Sequence, residues 1–338
     1  MHVGKPGIPK AIRSARPSRR KRILAIGSAA LTALGALAYT GAVTPSLANG
    51  VPLHRSQGGY EELMVPSSMG PIKVQVQWAA GGGSAALYLL DGLRARSDRN
   101  AWSFETNAMD LFKNDNLTLV MPVGGESSFY ADWYRPSNLN GQKFTYKWKS
   151  FLTRELPSFL EGLGVSRSNN AIAGLSMGGS AALTLAAFHR DQFRHASSLS
   201  GYLNLSAPGM REAVRLAMLD AGRYDVDAMA PAASSRWLRL DAVTLAPQLR
   251  GLPMYVSAAS GLPGEFDKPG SIGGVFNTGT AMALEALALV GTRAFESRVA
   301  SLGIPVRFDF PAAGTHSWLY WQRQLANARP DILNALGH

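Results

Sequence analysis

One pentapeptide, GLSMG at residues 174–178, constrains this chain more than any other feature of its sequence. The apolar residues 171–175 are typical of a short buried strand, and the small and apolar residues that follow are typical of a helix. A serine in this setting predicts a nucleophile elbow, because side chains two residues before or after the serine would collide in so tight a turn. We therefore expect the Ser176 hydroxyl to project from the end of a strand, beside a helix N-terminus.

Short apolar segments alternate with helix-forming segments along the rest of the chain. The predicted strands are 73–78, 85–90, 117–122, 171–175, 253–258 and 305–310. The predicted helices are 148–163, 177–189, 209–219, 278–300 and 317–336. Such alternation predicts an α/β fold with a mostly parallel sheet and helices on both faces. We expect the irregular segment 201–250 to be an insertion that covers one end of the sheet.

The positive charge of the chain is concentrated near its N-terminus. The formal net charge is +11, but residues 1–22 hold eight basic residues and no acidic one. The remainder carries 26 basic against 23 acidic residues, which is ordinary for a globular protein. Because the excess belongs to one segment and not to a binding face, we expect no nucleic acid partner.

The same N-terminal segment has the layout of an export signal. A basic cluster at 18–22 precedes the uncharged apolar stretch 23–43, and Ser46-Leu47-Ala48 has small residues at the −3 and −1 positions of a cleavage site. We predict that residues 1–48 are a cleaved signal peptide and that residues 49–338 form a single secreted domain. An uncleaved membrane anchor is the alternative, since the apolar stretch is about long enough to span a bilayer.

A serine hydroxyl needs a base to act as a nucleophile, and one of the six histidines has the right position for this role. His316 follows the predicted strand 305–310 and fits the order of serine, acid and then histidine in a late loop. A loop histidine that caps the last helix is the alternative. Of the other five, His2 lies in the signal segment, His338 at the C-terminus and His54 before the first strand. His189 and His195 lie near the helix end and the strand that follow the elbow.

The acidic partner of this histidine is ambiguous in the sequence. Five acidic residues lie between the strand 253–258 and His316: Glu265, Asp267, Glu285, Glu296 and Asp309. The simplest rule places the acid soon after that strand and favours Glu265 or Asp267. The residues themselves do not choose among the five, each of which could be an ordinary solvated charge.

No cofactor is expected. The sequence contains no cysteine, which excludes a thiol nucleophile, a disulfide framework and a cysteine zinc site. Attack by an activated serine needs neither a metal ion nor an organic cofactor.

Six stretches, in one order and spread over nearly all of residues 49–338, resemble the antigen-85-type mycolyltransferases. They are YLLDGLRA (88–95), MPVGGESSFYADWY (121–134), TYKWKSFLTRELP (145–157), GLSMGGSAALTLAAFH (174–189), SLSGYLNLS (198–206) and GTHSWLYW (314–321). The first and last are far more specific than G-x-S-x-G. The resemblance implies an α/β-hydrolase fold and a secreted, monomeric serine acyltransferase of the trehalose mycolyltransferase and diacylglycerol acyltransferase family.

Residue by residue, the resemblance implies Ser176 as nucleophile and His316 as base. It favours Glu285 as the acid, because the family's glutamate lies in an L-E-x-L-x-L helix that matches residues 284–289. The implied oxyanion N–H groups are those of Leu93 and Met177. The implied sugar-pocket residues are Asp91, Arg94, Asn204, Ser317 and Trp318. As alternatives, Trp318 could be a core residue, and Asp91 and Arg94 could form a plain surface ion pair.

The activity implied by the resemblance is transfer of mycoloyl groups between trehalose mycolates and to arabinogalactan in the cell envelope, through an acyl-enzyme. A secreted carboxylesterase or lipase that uses water is one alternative, and a non-catalytic envelope- or host-binding protein is another. The apolar helix 278–290 could offer an acyl groove or simply face the core. Two departures are Ser257, where family members often have cysteine, and residues 107–116, which are not similar to the family's fibronectin-binding segment.

Overall fold

The computed structural model describes residues 57–268 and 272–338. The predicted signal peptide, its cleavage site and the alternative membrane anchor therefore lie outside the described residues. Among the residues that are described, no helix is both long enough and apolar enough to cross a membrane.

A sheet of eight strands organises the described residues, with the order β1-β2-β4-β3-β5-β6-β7-β8. The strands are β1 (Tyr60–Val65), β2 (Ile72–Gln77), β3 (Ala86–Leu90), β4 (Thr118–Pro122), β5 (Asn170–Leu175), β6 (Phe193–Leu199), β7 (Met254–Ser257) and β8 (Arg307–Asp309). β2 is antiparallel to β1 and β4, and all other neighbours are parallel. This arrangement confirms the predicted mostly parallel α/β fold.

Ten α-helices connect and cover the strands in the described part of the chain. They are α1 (Ala108–Phe112), α2 (Trp148–Ser150), α3 (Leu156–Glu161), α4 (Met177–Phe188), α5 (Met210–Gly222), α6 (Val226–Met229), α7 (Ser235–Leu238), α8 (Ala242–Leu245), α9 (Ile272–Ser301) and α10 (Trp318–Leu336). A π-helical turn, Phe151–Glu155, joins α2 to α3, and 3₁₀ turns occupy Ala101–Ser103 and Ala246–Leu249.

Alternating side chains of the central strands supply the cores on the two faces of the sheet. In β3, Tyr88 and Leu90 belong to the core cluster that contains α4 residues such as Ala182. Leu87 and Leu89 belong to the cluster that contains α10 residues such as Leu325. Successive strand residues point to opposite faces, so a strand covered on both sides is apolar throughout. Helices therefore pack on both faces, as predicted.

The predicted elements match the structure closely, with informative differences. β1 is missing from the predicted strands because its polar sequence, YEELMV, is exposed at the sheet edge. β6 has no predicted bounds, because its buried residues include the polar His195, Ser197 and Ser198. The segment 201–250 is less irregular than predicted, since it holds α5 to α8. Asp225 and Asp241 directly precede the short helices α6 and α8. Their carboxylates accept backbone N–H groups and so stabilise helix starts that have little apolar periodicity.

Candidate active site

Ser176 lies between the end of β5 and the start of α4 and has a φ of 52°, in the left-handed region that few non-glycine residues adopt. Its N–H donates to the carbonyl of Leu199 over 2.8 Å. A Cβ on Gly174 would lie 2.3 Å from the carbonyl oxygen of Gly178, so the turn requires glycine there. The turn has the geometry of a nucleophile elbow.

The loop after β3 runs directly beside this elbow. A Cβ on Gly178 would lie 2.4 Å from the carbonyl oxygen of Asp91, and a Cβ on Gly92 would lie 3.6 Å from the Cβ of Ser176. Met177 begins α4, so its N–H has no acceptor within the helix. The carbonyl of Leu93 accepts the Ser127 N–H over 2.8 Å, which fixes the loop. Leu93 and Met177, the predicted oxyanion residues, thus lie beside Ser176.

His316 and Glu285 form a buried hydrogen-bonded pair. The distance from His316 Nδ1 to Glu285 Oε2 is 2.8 Å, and the two side chains are 6% and 1% exposed. When the Nδ1–H of His316 donates this hydrogen bond to the carboxylate, the imidazole presents Nε2 as its basic nitrogen. Nε2 is itself buried and has no hydrogen-bond partner among the described residues. This is the arrangement that an orienting acid and a general base require.

Glu285 is held by further contacts that the sequence analysis missed. Its Oε1 accepts the Ser200 hydroxyl over 2.8 Å and the Ala259 N–H over 2.7 Å. Trp321 donates its indole N–H to the Ser200 oxygen over 3.0 Å, and its ring meets the His316 ring edge-on at 4.8 Å. Ser200 has a φ of 52°, a strained value for serine, immediately after β6. The sequence feature that could have identified Ser200 is its position in the stretch SLSGYLNLS, which resembles the family.

The acids that the simplest sequence rule favours lie elsewhere. Asp267 accepts the Thr315 hydroxyl over 2.6 Å and the Tyr320 hydroxyl over 2.7 Å. Glu265 is paired with Arg323. The remaining candidates, Glu296 and Asp309, contact Arg293 and Tyr255 respectively. The favoured choice of Glu265 or Asp267 therefore does not match the contacts of His316, because the acid beside it comes from the middle of α9 and not from the loop after β7.

Two of the histidines that were given no catalytic role, His189 and His195, do not contact this pair. His195 lies within β6, fully buried, with Nε2 2.8 Å from the Ser197 hydroxyl. Burial without a compensating charge lowers the pKa of His195 to about 3. His189 caps α4 at the opposite end from Ser176, and burial also lowers its pKa.

Ser176 and His316 line one cavity of 720 Å³. Five other predicted site residues line it: Asp91, Leu93, Arg94, Met177 and Trp318. Asn204 and Ser317 are not among its lining residues, although Ser317 begins α10 next to His316. Apolar side chains of α5 and α9 form another part of the wall: Met210, Val214, Leu284 and Leu287. The insertion thus reaches the carboxyl end of the sheet, where the substrates of α/β proteins bind.

Asp91 and Arg94 do not form the ion pair considered as an alternative. Arg94 is paired with Asp220, and both side chains are exposed. Asp91 is 1% exposed, and its carboxylate accepts the Ala101 N–H over 3.1 Å. Burial raises the pKa of Asp91 to about 7, because a carboxylate is poorly solvated there.

Trp318 combines the two predicted roles. It lines the cavity, and it packs edge-on against Trp102 and Trp321 at 5.8 and 5.2 Å between ring centroids. Ser257, where the family often has cysteine, is buried in β7, and its hydroxyl has no hydrogen-bond partner in the described residues.

Known proteins resemble this chain over most of its length. The putative esterase family model matches residues 67–332. The diacylglycerol acyltransferase/mycolyltransferase Ag85C of Mycobacterium leprae is 42% identical over 325 residues, which cover 94% of this chain and 92% of that relative. The corresponding Ag85B of Mycolicibacterium smegmatis is 43% identical over 286 residues, covering 82% of this chain and 85% of the relative.

Solved structures agree with these sequence relatives. The crystal structure of Mycobacterium tuberculosis MPT51 (FbpC1) has a TM-score of 0.70 and 33% identity and covers 82% of this chain and 99% of its own. An S-formylglutathione hydrolase from Agrobacterium tumefaciens has a TM-score of 0.61 at 16% identity, covers 84% of this chain and 98% of its own, and shows the shared α/β-hydrolase fold. The resemblance found in the sequence is thereby confirmed: the chain belongs to the esterase family and, within it, to the antigen 85 diacylglycerol acyltransferases/mycolyltransferases.

Proposed function

We propose that this protein is a secreted serine acyltransferase that moves mycoloyl groups between trehalose mycolates and to arabinogalactan through an acyl-enzyme. One observation carries the proposal: His316, which is hydrogen-bonded to Glu285, lines the same cavity as Ser176, in a chain of the antigen 85 family. Mycolyl transfer, without a named donor or acceptor, is the activity that the names of its relatives state.

Acylation of the serine is the first half of the proposed reaction. Ser176 Oγ attacks the ester carbonyl of a trehalose mycolate, and its proton passes to Nε2 of His316. Glu285 stabilises the imidazolium that forms. The N–H groups of Leu93 and Met177 bind the oxyanion, which is the position where charge develops. The intermediate collapses when the bond to trehalose breaks, and the departing sugar oxygen takes the proton from His316.

Transfer to the acceptor is the second half. A hydroxyl of another trehalose mycolate, or of arabinogalactan, gives its proton to His316 and attacks the acyl carbon. The bond from the acyl group to Ser176 Oγ breaks, and the serine recovers the proton. The products are the acylated acceptor and the free enzyme, so no cofactor enters the balance.

The two parts of the cavity wall suit the two parts of such a substrate. Met210 and Val214 on α5, with Leu284 and Leu287 on α9, offer an apolar surface for an acyl chain. This surface includes part of the apolar segment 278–290 proposed as an acyl groove. Asp91, Arg94 and Trp318 supply the polar and aromatic side of the cavity for the sugar. Asn204 and Ser317 do not line this cavity, so they would have to contact the sugar outside it.

The proposed cellular setting rests on the N-terminal sequence. We propose that cleavage after Ala48 releases residues 49–338 as a monomer that associates with the cell envelope. Mass spectrometry of the protein recovered from culture medium and from envelope fractions measures the mature N-terminus. A retained N-terminal segment would contradict cleavage and favour the membrane anchor.

Product analysis tests the activity. Purified enzyme is incubated with a trehalose monoester, and trehalose diester and free acid are measured as acceptor concentration rises. We expect diester formation in the native protein and its loss in Ser176→Ala, while Ser158→Ala, a serine change on the exposed side of α3, serves as the control. Free acid as the sole product at every acceptor concentration would support the esterase alternative. Undiminished activity of Ser176→Ala would exclude the proposed mechanism.

A further inference from the structure

A second cavity, of 530 Å³, adjoins the active-site cavity. Both are lined by Arg94, Ala95 and Arg96, so this segment forms the boundary between them. The second cavity has a volume typical of small-ligand sites. Its other lining residues are mostly polar or lack side chains: Ser97, Asp98, Gly124, Gly125, Glu126, Tyr146 and Tyr224. None of these seven has a role in the proposed acyl transfer.

Two stacked tyrosines form an aromatic surface in this cavity. The ring centroids of Tyr146 and Tyr224 are 6.0 Å apart with an interplanar angle of 25°, and their hydroxyl oxygens are 3.2 Å apart. Tyr146 also contacts Trp133 and Trp148, which are fully buried, so the surface is rigidly supported. An aromatic face with a polar tip suits a ligand that has both C–H and O–H groups.

Glu126 brings a carboxylate to the tyrosine pair. A Cβ on Gly222 would lie 2.7 Å from Cε2 of Tyr224 and 2.8 Å from Oε2 of Glu126, so both side chains pack over the bare backbone of Gly222. Glu126 forms no ion pair with any residue that the structure describes; its carboxylate interacts with the Tyr224 hydroxyl, and the nearby Arg94 is paired with Asp220. Partial burial raises the pKa of Glu126. Because a carboxylate has about four lone-pair sites and the Tyr224 hydroxyl uses one, Glu126 can still accept hydrogen bonds from a ligand.

The charge distribution favours a neutral ligand. Glu126 and Asp98 oppose an anion, and Arg94 and Arg96 oppose a cation. Gly124 and Gly125, with φ values of 101° and 86°, place only backbone at the wall. Hydrogen-bond acceptors, phenolic hydroxyls and an aromatic face are together the complement of a polyhydroxylated ring.

We propose that this second cavity binds a neutral saccharide, the sugar of the acceptor, beside the acyl-enzyme. The proposal rests on the proposed function, since an acceptor exists only if acyl groups are transferred. The shared boundary at Arg94–Arg96 keeps a saccharide held by Glu126 and Tyr224 next to the cavity that contains Ser176. A donor whose acyl chain lies against α5 and α9 would not need this second cavity.

Acceptor kinetics of Glu126→Ala and Tyr224→Phe test the proposal. A nitrophenyl ester acylates the enzyme, and transfer to trehalose is measured against trehalose concentration. We expect the half-saturating trehalose concentration to rise about tenfold in Glu126→Ala, relative to any change in the KM for the ester, because hydrogen bonds to charged groups have this strength. Tyr224→Phe should show a smaller rise. Glu161→Ala, which removes an exposed carboxylate on α3, is the matched control.

A half-saturating trehalose concentration that is unchanged in Glu126→Ala would overturn the proposal. An equal rise in this concentration and in the KM for the ester would also overturn it, because it would indicate a structural effect. If the native protein transfers no acyl group to trehalose, the proposed function fails and the subsite is tested by binding alone. Trehalose is then titrated by NMR into Ser176→Ala, with and without Glu126→Ala. Weaker binding in the double variant supports the saccharide site, and equal binding overturns it.

Discussion

The Ser200 hydroxyl is 2.8 Å from Oε1 of Glu285, the carboxylate whose other oxygen contacts His316. Ser200 in turn accepts the Trp321 indole N–H, so Ser200, immediately after β6, and Trp321 of α10 together hold the carboxylate of Glu285 on α9. Groups that orient a functional side chain commonly affect activity without contacting the substrate.

Ser200→Ala should therefore lower kcat about tenfold, because a hydrogen bond to a charged group is lost while the Ala259 N–H remains. The pH dependence of kcat should also shift, since the carboxylate would orient the imidazole less firmly. Ser198→Ala is the control: this serine is buried in β6, and its hydroxyl has no partner among the described residues. Equal effects of the two substitutions on kcat and its pH profile would show that Ser200 has only a packing role.

Replacement of the proposed acid gives a larger effect. Glu285→Gln should reduce kcat by roughly 10³–10⁴, because an amide does not hold the histidine in the required tautomer. Pre-steady-state release of nitrophenol from an activated ester measures the acylation step directly. Asp267→Asn, a comparable change at a carboxylate bonded to Thr315 and Tyr320, should have a much smaller effect. A larger loss of kcat in Asp267→Asn than in Glu285→Gln would identify Asp267 as the acid.

The elbow depends on glycine for space. Gly178→Ala would place a Cβ 2.4 Å from the Asp91 carbonyl oxygen and 2.7 Å from that of Leu90, and it should lower the free energy of unfolding by about 3 kcal/mol or more. Gly279→Ala on α9, where nothing lies within 4 Å, should instead raise it by about 0.5–1 kcal/mol. Urea unfolding compares the two variants. A fully stable and active Gly178→Ala protein would contradict the close contact described for α4.

Two buried groups should give opposite pH dependences of stability. Asp91 has a folded-state pKa of about 7, well above its ordinary value of 3.8. Between about pH 4 and 7 the folded state thus binds one more proton than the unfolded state, and stability falls as pH rises. Asp91→Asn removes this dependence. Its stability relative to the native protein should rise from pH 4 to pH 7, by at most about 4 kcal/mol.

His195 acts in the other direction. Its folded-state pKa of about 3 lies below the ordinary 6.5, so the unfolded state binds the extra proton and stability falls as pH decreases from about 6.5 to 3. His195→Gln should therefore gain stability relative to the native protein as pH falls. Urea unfolding of each variant at pH 4.5, 5.5 and 6.5 measures both trends. Parallel curves for native and variant proteins would show that the side chain is solvated in the folded state.

Much of the fold and of the serine's setting is determined by local sequence. The elbow at 174–178 combines a buried strand, a glycine turn and a helix within a few residues, and each depends on local steric and periodic constraints. The same holds for the apolar strands and for α10. β1 and β6 are harder to predict, because their polar residues are explained by edge exposure and by buried hydrogen bonds with distant partners.

Only the tertiary structure decided which carboxylate contacts His316. Local sequence offers five acids, and its simplest rule favours Glu265 or Asp267. The family resemblance was needed to favour Glu285. The structure places Glu285 against His316 because α9 carries it back over the carboxyl end of the sheet, where Ser200 and Ala259 meet it. Hydrogen bonds between residues 26 to 85 positions apart leave no periodic signal in the sequence, so only the packed chain identifies them.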